Sequence, residues 1–334
     1  MINSLLRVIT YALFPFALCA CGVIPGSFPS EFPAVSVPSD NPGTEAGIAL
    51  GKKLFFDPIL SSNGEVSCAS CHQQASSFGD SVAISPGVDG ALGNRNANPL
   101  INLAWSDFLF WDGRAASLEE QSLGPIENPL EMNETLENVV LKVQSQEEYP
   151  VLFELAFGSS EVTSENIGKA IAQYERTLVS ASSPYDEFIV GNRELSTNER
   201  RGMDLFFSSR TNCSACHDTI LFTDGRFHDI GLDANPSDLG RGAITSEAGD
   251  DGKFKTPTLR NISLTGPYMH DGRFTSLRQV LDFYDRNIQN SPNLSGRLNN
   301  LRRNGLSGRD KEDIISFLLL LTDQEFVNNE GLGE

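Results

Sequence analysis

Cys68-Ala69-Ser70-Cys71-His72 and Cys213-Ser214-Ala215-Cys216-His217 repeat one spacing, Cys-X-X-Cys-His, within a chain of 334 residues. This spacing is typical of covalent haem c attachment, in which two thiols bond to one porphyrin and the adjacent imidazole ligates the iron. A zinc site or a redox dithiol gives no reason for a histidine directly after each cysteine pair. Two motifs therefore predict two haem c groups. The predicted attachment residues are Cys68, Cys71, His72, Cys213, Cys216 and His217.

The overall composition bounds the fold and the partners. At 334 residues the chain is long enough for two domains of ordinary size. Its 44 acidic and 25 basic residues give a net charge of −19, which is a poor match for nucleic acid. Such an acidic surface can steer a basic electron donor, or it can serve solubility alone. We therefore expect no nucleic-acid partner.

The N-terminus has the pattern of a bacterial export signal. The apolar stretch from Val8 to Ala20 is too short to span a bilayer and suits a signal peptide. It ends in Leu18-Cys19-Ala20-Cys21, which is similar to a lipobox with Cys21 as the acylated residue, although plain signal cleavage nearby is an alternative. No Asp follows Cys21, which favours the outer membrane. We predict a signal peptide and lipobox over 1–21, a Pro/Ser-rich linker over 22–43, and a periplasmic protein tethered to the outer membrane by a lipid anchor on Cys21.

Several segments recur at related positions. Gly51–Phe56 and Gly202–Phe207 both end in Leu-Phe-Phe, and each precedes a haem motif. Further along, Asn102 and Asn261 are 159 residues apart, and so are the Asp-Gly-Arg segments that follow Trp111 and His270. Two copies of one haem-binding unit are the simplest explanation. We predict an N-terminal haem domain over 44–190 and a C-terminal haem domain over 191–334.

The apolar periodicity indicates helices rather than strands. Ser164 can cap a helix whose apolar residues, as far as Leu178, fall on one face. Ser196 and Glu199 form a capping-box pattern, and Ile314–Leu321 is typical of a buried helix. Segments around the haem motifs are rich in Gly, Asn, Asp and Pro, which indicates loops. The predicted fold class is all-α, mainly helical with long loops, with two cytochrome c-like haem domains related by internal duplication.

The repeat predicts which residues face the first iron. The offset of 159 residues pairs Tyr284 with Pro125, so these residues are expected over the second and the first haem. Proline has no side-chain donor atom, and no histidine lies between His72 and His217. The first iron is therefore expected to stay open to a small ligand.

The second iron has four candidate ligands on its other side: Tyr284, Met269, His270 and His228. Tyrosine can ligate haem iron through its phenolate, and methionine through its thioether. Tyr284 also lies in an apolar run, so it can equally be a core aromatic. His228 and His270 are expected to be structural or to contact haem propionates. From the residues alone the choice stays open.

The motifs together resemble those of the bacterial dihaem cytochrome c peroxidases, and within them the MauG-like branch. The resemblance extends from about Gly47 to Thr322. It depends on both haem motifs and on these segments: Leu54–Asp57, Phe110–Arg114, Gln121–Pro125, Glu131–Met132, Phe222–Asp224, Phe227–His228 and Thr256–Asn261. It implies that the first domain is peroxidatic and that the second transfers electrons.

The resemblance also implies roles for single residues. Gln121 and Glu131 match the residues that handle peroxide, and Trp111 matches a tryptophan between the two haems. A proline at position 125 and a tyrosine at 284 match the MauG-like branch, which makes Tyr284 the preferred axial ligand and Met269 the runner-up. Three further positions match ligands of a calcium ion, the last two through backbone carbonyls. They are Asn96, Thr265 and Pro267.

Two departures from the family bear on function. MauG has a surface tryptophan two residues before its second haem motif, where this chain has Thr211. That difference counts against oxidation of a protein substrate. The distal histidine that other family peroxidases carry in the first domain is also missing, so reductive activation should not be needed.

The resemblance implies a periplasmic enzyme of the cytochrome-c peroxidase type. It would reduce hydrogen peroxide to water with electrons from a small cytochrome c or a cupredoxin. One alternative is a MauG-like oxidase that acts on a protein or a small molecule through high-valent haems. A second alternative is a dihaem electron-transfer protein without turnover. The expected cofactors are two haem c groups and a Ca²⁺ ion, and the expected assembly is a homodimer.

Overall fold

The computed structural model describes residues 31–334. The predicted signal segment, the lipobox and Cys21 lie outside the described residues and stay predictions. The described chain is mainly helical with long loops, as predicted. Within residues 31–334 no helix combines the length and the apolar character that a membrane crossing requires.

The helices between residues 31 and 334 are α1 Glu45–Phe56, α2 Cys68–Cys71, α3 Leu118–Glu127, α4 Leu136–Gln144, α5 Tyr149–Phe157, α6 Ser164–Glu175, α7 Pro184–Ile189, α8 Thr197–Phe207, α9 Gly242–Thr245, α10 Leu277–Asp282, α11 Asn299–Asn304, α12 Gly308–Leu319 and α13 Gln324–Val327. Two short strands, β1 Phe227–His228 and β2 Phe254–Lys255, pair antiparallel. A π-helical turn, Phe283–Asn287, continues α10.

The first core forms where α1 packs against α6. Thr44 begins α1 by accepting the Gly47 N–H at 3.0 Å. Gly51 faces the α6 backbone so closely that a Cβ there would overlap the Ala170 carbonyl, which fixes a close helix crossing. Cys68 of the first haem motif packs against this core. The motif is therefore mounted directly on the α1–α6 pair.

The second core forms where α8 packs against α12. Ser196 and Glu199 make the predicted capping box at the start of α8. Gly202 faces α12 so closely that a Cβ there would overlap the Asp313 carbonyl. Cys213 of the second haem motif packs against this core. Each motif therefore lies on a helix pair with the same kind of glycine contact.

Two segments pack across the predicted domain limits. Tyr185 on α7 belongs to the second core, with its ring centroid 5.1 Å from that of Phe222. Near the C-terminus, Phe326 on α13 belongs to the first core, 5.7 Å from Phe78. The limits 44–190 and 191–334 stay a prediction, and the two halves are linked by exchanged segments.

Candidate haem sites

The first haem motif holds its histidine in one orientation. Nδ1 of His72 lies 2.9 Å from the Phe78 carbonyl oxygen. A carbonyl only accepts, so Nδ1 carries the proton and Nε2 keeps the lone pair that an iron needs. Phe78 offers that carbonyl from a left-handed backbone conformation, with φ 56°. Burial lowers the pKa of His72, which favours the neutral imidazole required for ligation.

The cysteines of the first motif are free thiols. A short helical turn brings them together, and the Ser67 N–H donates to Ser70 Oγ at 3.0 Å at its start. Burial raises the pKa of Cys68 and of Cys71. Two neutral thiols beside one oriented imidazole are the donor set that haem c attachment requires.

A cavity of about 300 Å³ adjoins the first motif. Gln121, Pro125 and Glu131 line it together with His72, so the fold brings these predicted residues to one cavity. Gln121 and Pro125 lie four residues apart on α3, which puts them on one helix face. The Gln121 side-chain oxygen is buried and has no hydrogen-bond partner among the described residues. An orphaned polar atom in a cavity fits a site that binds a polar ligand.

Glu131 enters the first cavity from the loop after α3. Its Oε1 accepts a hydrogen bond from Asn128 Nδ2 at 2.6 Å. Burial raises the pKa of the Glu131 carboxyl, opposed by the Asn128 hydrogen bond and the Arg114 charge, which lower it. Gly87 lies against the backbone of this loop, where a Cβ would overlap the Leu130 carbonyl. The carboxyl is thus held in place and is ready to take up a proton.

The second haem motif repeats this arrangement. Nδ1 of His217 lies 3.1 Å from the Phe222 carbonyl oxygen, and Phe222 has φ 53°. Burial lowers the pKa of His217, which again favours neutral imidazole. Cys213 and Cys216 are free thiols whose pKa values burial raises. Both motifs therefore fit a covalently attached haem.

A cavity of about 420 Å³ adjoins the second motif and contains all four candidate ligands: Tyr284, Met269, His228 and His270. Two of them have other side-chain contacts. His228 Nε2 lies 2.9 Å from Asp224 Oδ2, and the His270 ring stacks on Phe254 with centroids 3.8 Å apart. The expectation that both histidines are structural or contact haem propionates stays a prediction.

Tyr284 lies on the π-helical turn that extends α10. Such turns occur frequently at functional sites. Its hydroxyl makes no hydrogen bond to any described residue, and burial raises its pKa. Met269 also lines the second cavity, from a left-handed backbone position with φ 74°. Both residues therefore have access to the second haem position.

Trp111 lies between the two cavities and lines both. Its Nε1 donates to the Asn96 carbonyl at 2.8 Å, which fixes the buried ring. Its edge faces the His270 ring, with centroids 6.5 Å apart and planes at 72°. The ring therefore lies between the two predicted haem positions, and its role in electron transfer stays a prediction.

The three predicted calcium positions lie around the second cavity: Asn96, Thr265 and Pro267. Asn96 Nδ2 donates to the carbonyls of Val82 and Ala83, at 3.1 Å each, which leaves its amide oxygen as the available atom. Oxygen donors of this kind suit Ca²⁺. The calcium site itself stays a prediction.

The sequence reasoning missed an ionic group beside the second motif. Arg297 Nη1 lies 2.7 Å from Asp224 Oδ2 and 3.8 Å from Cys216 Sγ. Asp224 therefore bridges Arg297 and His228 next to a haem-binding thiol. Asp224 belongs to a segment that carries the family resemblance, but Arg297 lies in no motif and far along the chain. Only the folded chain brings them together.

The position predicted to distinguish this chain from MauG is buried. Thr211 is 2% exposed, and its hydroxyl donates to the Leu205 carbonyl. It lines the second cavity from inside. The chain therefore presents no surface aromatic residue at this position.

Known proteins of one family are similar to this chain. The family model described as di-haem cytochrome c peroxidase matches residues 45–194. The methylamine utilization protein MauG of Methylorubrum extorquens is 41% identical over 289 residues, covering 85% of this chain and 80% of that protein. The cytochrome-c peroxidase IdrP1 of Pseudomonas sp. (strain SCT) is 35% identical over 329 residues, covering 89% of this chain and 86% of that protein.

A solved structure shares the fold over nearly the whole chain. It is the crystal structure of a MauG-like protein associated with microbial copper homeostasis, with a TM-score of 0.86 and 32% identity. The match covers 91% of this chain and 97% of that one. The chain therefore belongs to the di-haem cytochrome c peroxidase family, whose members similar to it bear the names cytochrome-c peroxidase and MauG.

Proposed function

We propose that this chain is a periplasmic dihaem c-type peroxidase. It reduces hydrogen peroxide to two waters, with two protons and with two electrons from a small cytochrome c or a cupredoxin. Relatives named cytochrome-c peroxidase support an oxidoreductase of this type. The observation that carries the proposal is a difference between the two cavities.

The two cavities differ in the side chains that could ligate an iron opposite the motif histidine. Among described residues, the first cavity contains no histidine besides His72, and no methionine or tyrosine. The second contains Tyr284 and Met269 besides His217. The first site can therefore accept a small molecule, whereas the second suits electron transfer.

The residues of the first cavity supply the proton chemistry of peroxide reduction. A bound haem supplies the one-electron and oxygen chemistry. The Glu131 carboxylate takes the proton from one peroxide oxygen and returns it to the other as the O–O bond breaks. The Gln121 side chain orients the peroxide by hydrogen bonding, and Pro125 leaves the space unfilled. Cleavage thereby releases water rather than hydroxide.

The second haem would be held by His217 and Tyr284. Tyr284 lines the second cavity, and its hydroxyl makes no hydrogen bond to a described residue, so the oxygen is available to a metal. Met269 is the runner-up, because it lines the same cavity. Trp111, fixed between the cavities, would carry electrons from the second haem to the first.

A MauG-like oxidase is the second candidate. The 41% identity to MauG and the pairing of Pro125 with Tyr284 favour it. The buried Thr211 counts against a protein substrate, because no aromatic side chain is offered to a docked protein there. A pure electron-transfer protein would have no use for Gln121 and Glu131 around an open position.

We also propose that the two halves arose by duplication of one haem-binding unit. The Leu109–Ala115 bridge recurs 159 residues later as the Tyr268–Phe274 bridge, and Asn102 and Asn261 have φ of 56° and 57°. The proposal also includes a periplasmic location with a lipid anchor on Cys21. It further includes a Ca²⁺ ion at Asn96 and a homodimer.

One assay tests the proposed activity. Fully oxidised, haem-loaded protein is mixed with hydrogen peroxide and a reduced small cytochrome c or cupredoxin, and donor oxidation is followed. Sustained turnover without prior reduction of the protein supports the peroxidase. A long-lived oxidised spectrum with little donor oxidation would instead favour the MauG-like oxidase.

A further inference from the structure

Lys255 occupies an unusual position on the short strand β2. Its backbone N–H donates to the Trp111 carbonyl at 2.8 Å, and it pairs with Phe227 across the two-stranded sheet. The residue lines both cavities, as Trp111 does. The strand therefore fixes one lysine at the boundary between the two predicted haem positions.

The Lys255 ammonium has no counter-ion among the described residues. Several buried or half-buried cations of the described chain are paired with carboxylates, among them Arg95 with Asp112 and Asp238, and Arg260 with Asp186. Burial alone lowers the pKa of Lys255 to about 8. An ammonium held at the wall of two largely apolar cavities without an anion is costly, and such groups are normally paired. An anion that enters one or both cavities would supply the missing partner.

We propose that Lys255 is a shared counter-ion for the propionate carboxylates of the two haems. The propionates are the anionic groups that a haem brings into a largely apolar cavity. One ammonium at the boundary can pair with a carboxylate from each side. The proposal depends on haem occupancy of both cavities, as proposed above, but not on peroxide turnover.

This assignment has a consequence for redox potential. Reduction adds an electron to each haem, and a nearby fixed positive charge stabilises the reduced form. Both haems should therefore be easier to reduce because of Lys255. Loss of the charge should lower both midpoint potentials together, which a role in peroxide chemistry at the first cavity alone would not do.

The test uses haem-loaded protein in spectroelectrochemical titrations. We expect Lys255→Met to lower the reduction equilibrium constant of each haem about tenfold, which is about 59 mV for one electron. Lys255→Arg should keep both potentials near those of the unaltered protein. The matched control is Lys253→Met, because Lys253 is paired with Asp250 at 3.1 Å and lines neither cavity.

The outcomes separate this proposal from the proposed function. Haem content is measured first, and Lys255→Gln replaces Lys255→Met if the latter fails to load two haems. If either haem keeps its potential without the charge, the shared role is overturned. An unaltered protein that binds two haems but does not turn over peroxide would overturn the function and leave the lysine test intact.

Discussion

The indole N–H of Trp111 donates to the backbone carbonyl of Asn96 at 2.8 Å, and this bond fixes the ring between the two cavities. Asn96 in turn donates its backbone N–H to the His270 carbonyl at 2.7 Å. Segments from both halves of the chain therefore hold the tryptophan. The position of the Trp111 ring therefore depends on how the two halves of the chain pack together.

Trp111→Phe should slow electron transfer between the haems. The smaller ring loses the Asn96 hydrogen bond and part of the contact surface between the cavities. We expect about a tenfold lower rate, equivalent to roughly 1.4 kcal/mol in the barrier, with about 1 kcal/mol lost in stability. The rate of electron transfer is measured by rapid mixing: the second haem is reduced first, and its oxidation through the first haem is then followed. Equal rates in both proteins would leave Trp111 only a packing role.

Glu131→Gln should abolish most peroxide turnover while both haem spectra persist. The amide keeps the shape but cannot shuttle the proton, and general acid–base steps of this kind contribute at least about 100-fold. The control is Glu127→Gln, an exposed residue at the end of α3 outside the cavity lining. Unchanged turnover in Glu131→Gln would remove the residue from the mechanism.

The same carboxyl predicts a pH dependence. Burial raises the pKa of Glu131 above the ordinary glutamate value of 4.5. The carboxylate that accepts a proton is therefore lost as the pH falls through this raised pKa, at a higher pH than for an exposed glutamate. kcat/KM for peroxide should decline on that acidic side. A profile that declines only where exposed glutamates titrate would contradict the buried-base role.

Tyr284→Phe should change the spectrum and the potential of the second haem, because it removes the phenolate that we propose as its ligand. Met269→Leu is the matched test of the runner-up and should leave both unchanged. Optical and electron paramagnetic resonance spectra of the ferric proteins report the difference. If Met269→Leu changed the spectrum and the potential and Tyr284→Phe did not, the ligand would be Met269.

Gly202→Ala should destabilise the second core. A Cβ there would overlap the Asp313 carbonyl, and overpacking of this kind typically costs about 1–3 kcal/mol. Gly249→Ala is the matched control, because a Cβ at that position meets no atom within 4 Å. Denaturant unfolding of the haem-loaded proteins measures both. Equal unfolding midpoints for the two variants would mean that α8 and α12 can move apart without a loss of stability.

Local patterns in the sequence predict the haem motifs and the helices well. Two thiols and an imidazole at fixed spacing need no distant partner, and the capping box of Ser196 and Glu199 is complete within one turn. Ser117 and Ser276, which are 159 residues apart, cap α3 and α10 by the same kind of hydrogen bond. Features formed by residues close together in the sequence can thus be predicted from the sequence.

Contacts between residues far apart in the sequence cannot be predicted from local patterns. The carbonyls that orient His72 and His217 come from left-handed Phe78 and Phe222, which no propensity predicts. Arg297 reaches Asp224 only because a loop folds back over the second motif. Lys255 looks like an ordinary surface lysine until the fold puts it between two cavities.

The open position at the first haem is the centre of this account, and its spin state tests it most directly. Electron paramagnetic resonance of the fully oxidised, haem-loaded protein should show one high-spin and one low-spin ferric haem. Azide should then convert only the high-spin signal, with one azide bound per chain. Two low-spin haems before any azide is added would mean that a side chain fills the first site, and the account would be wrong.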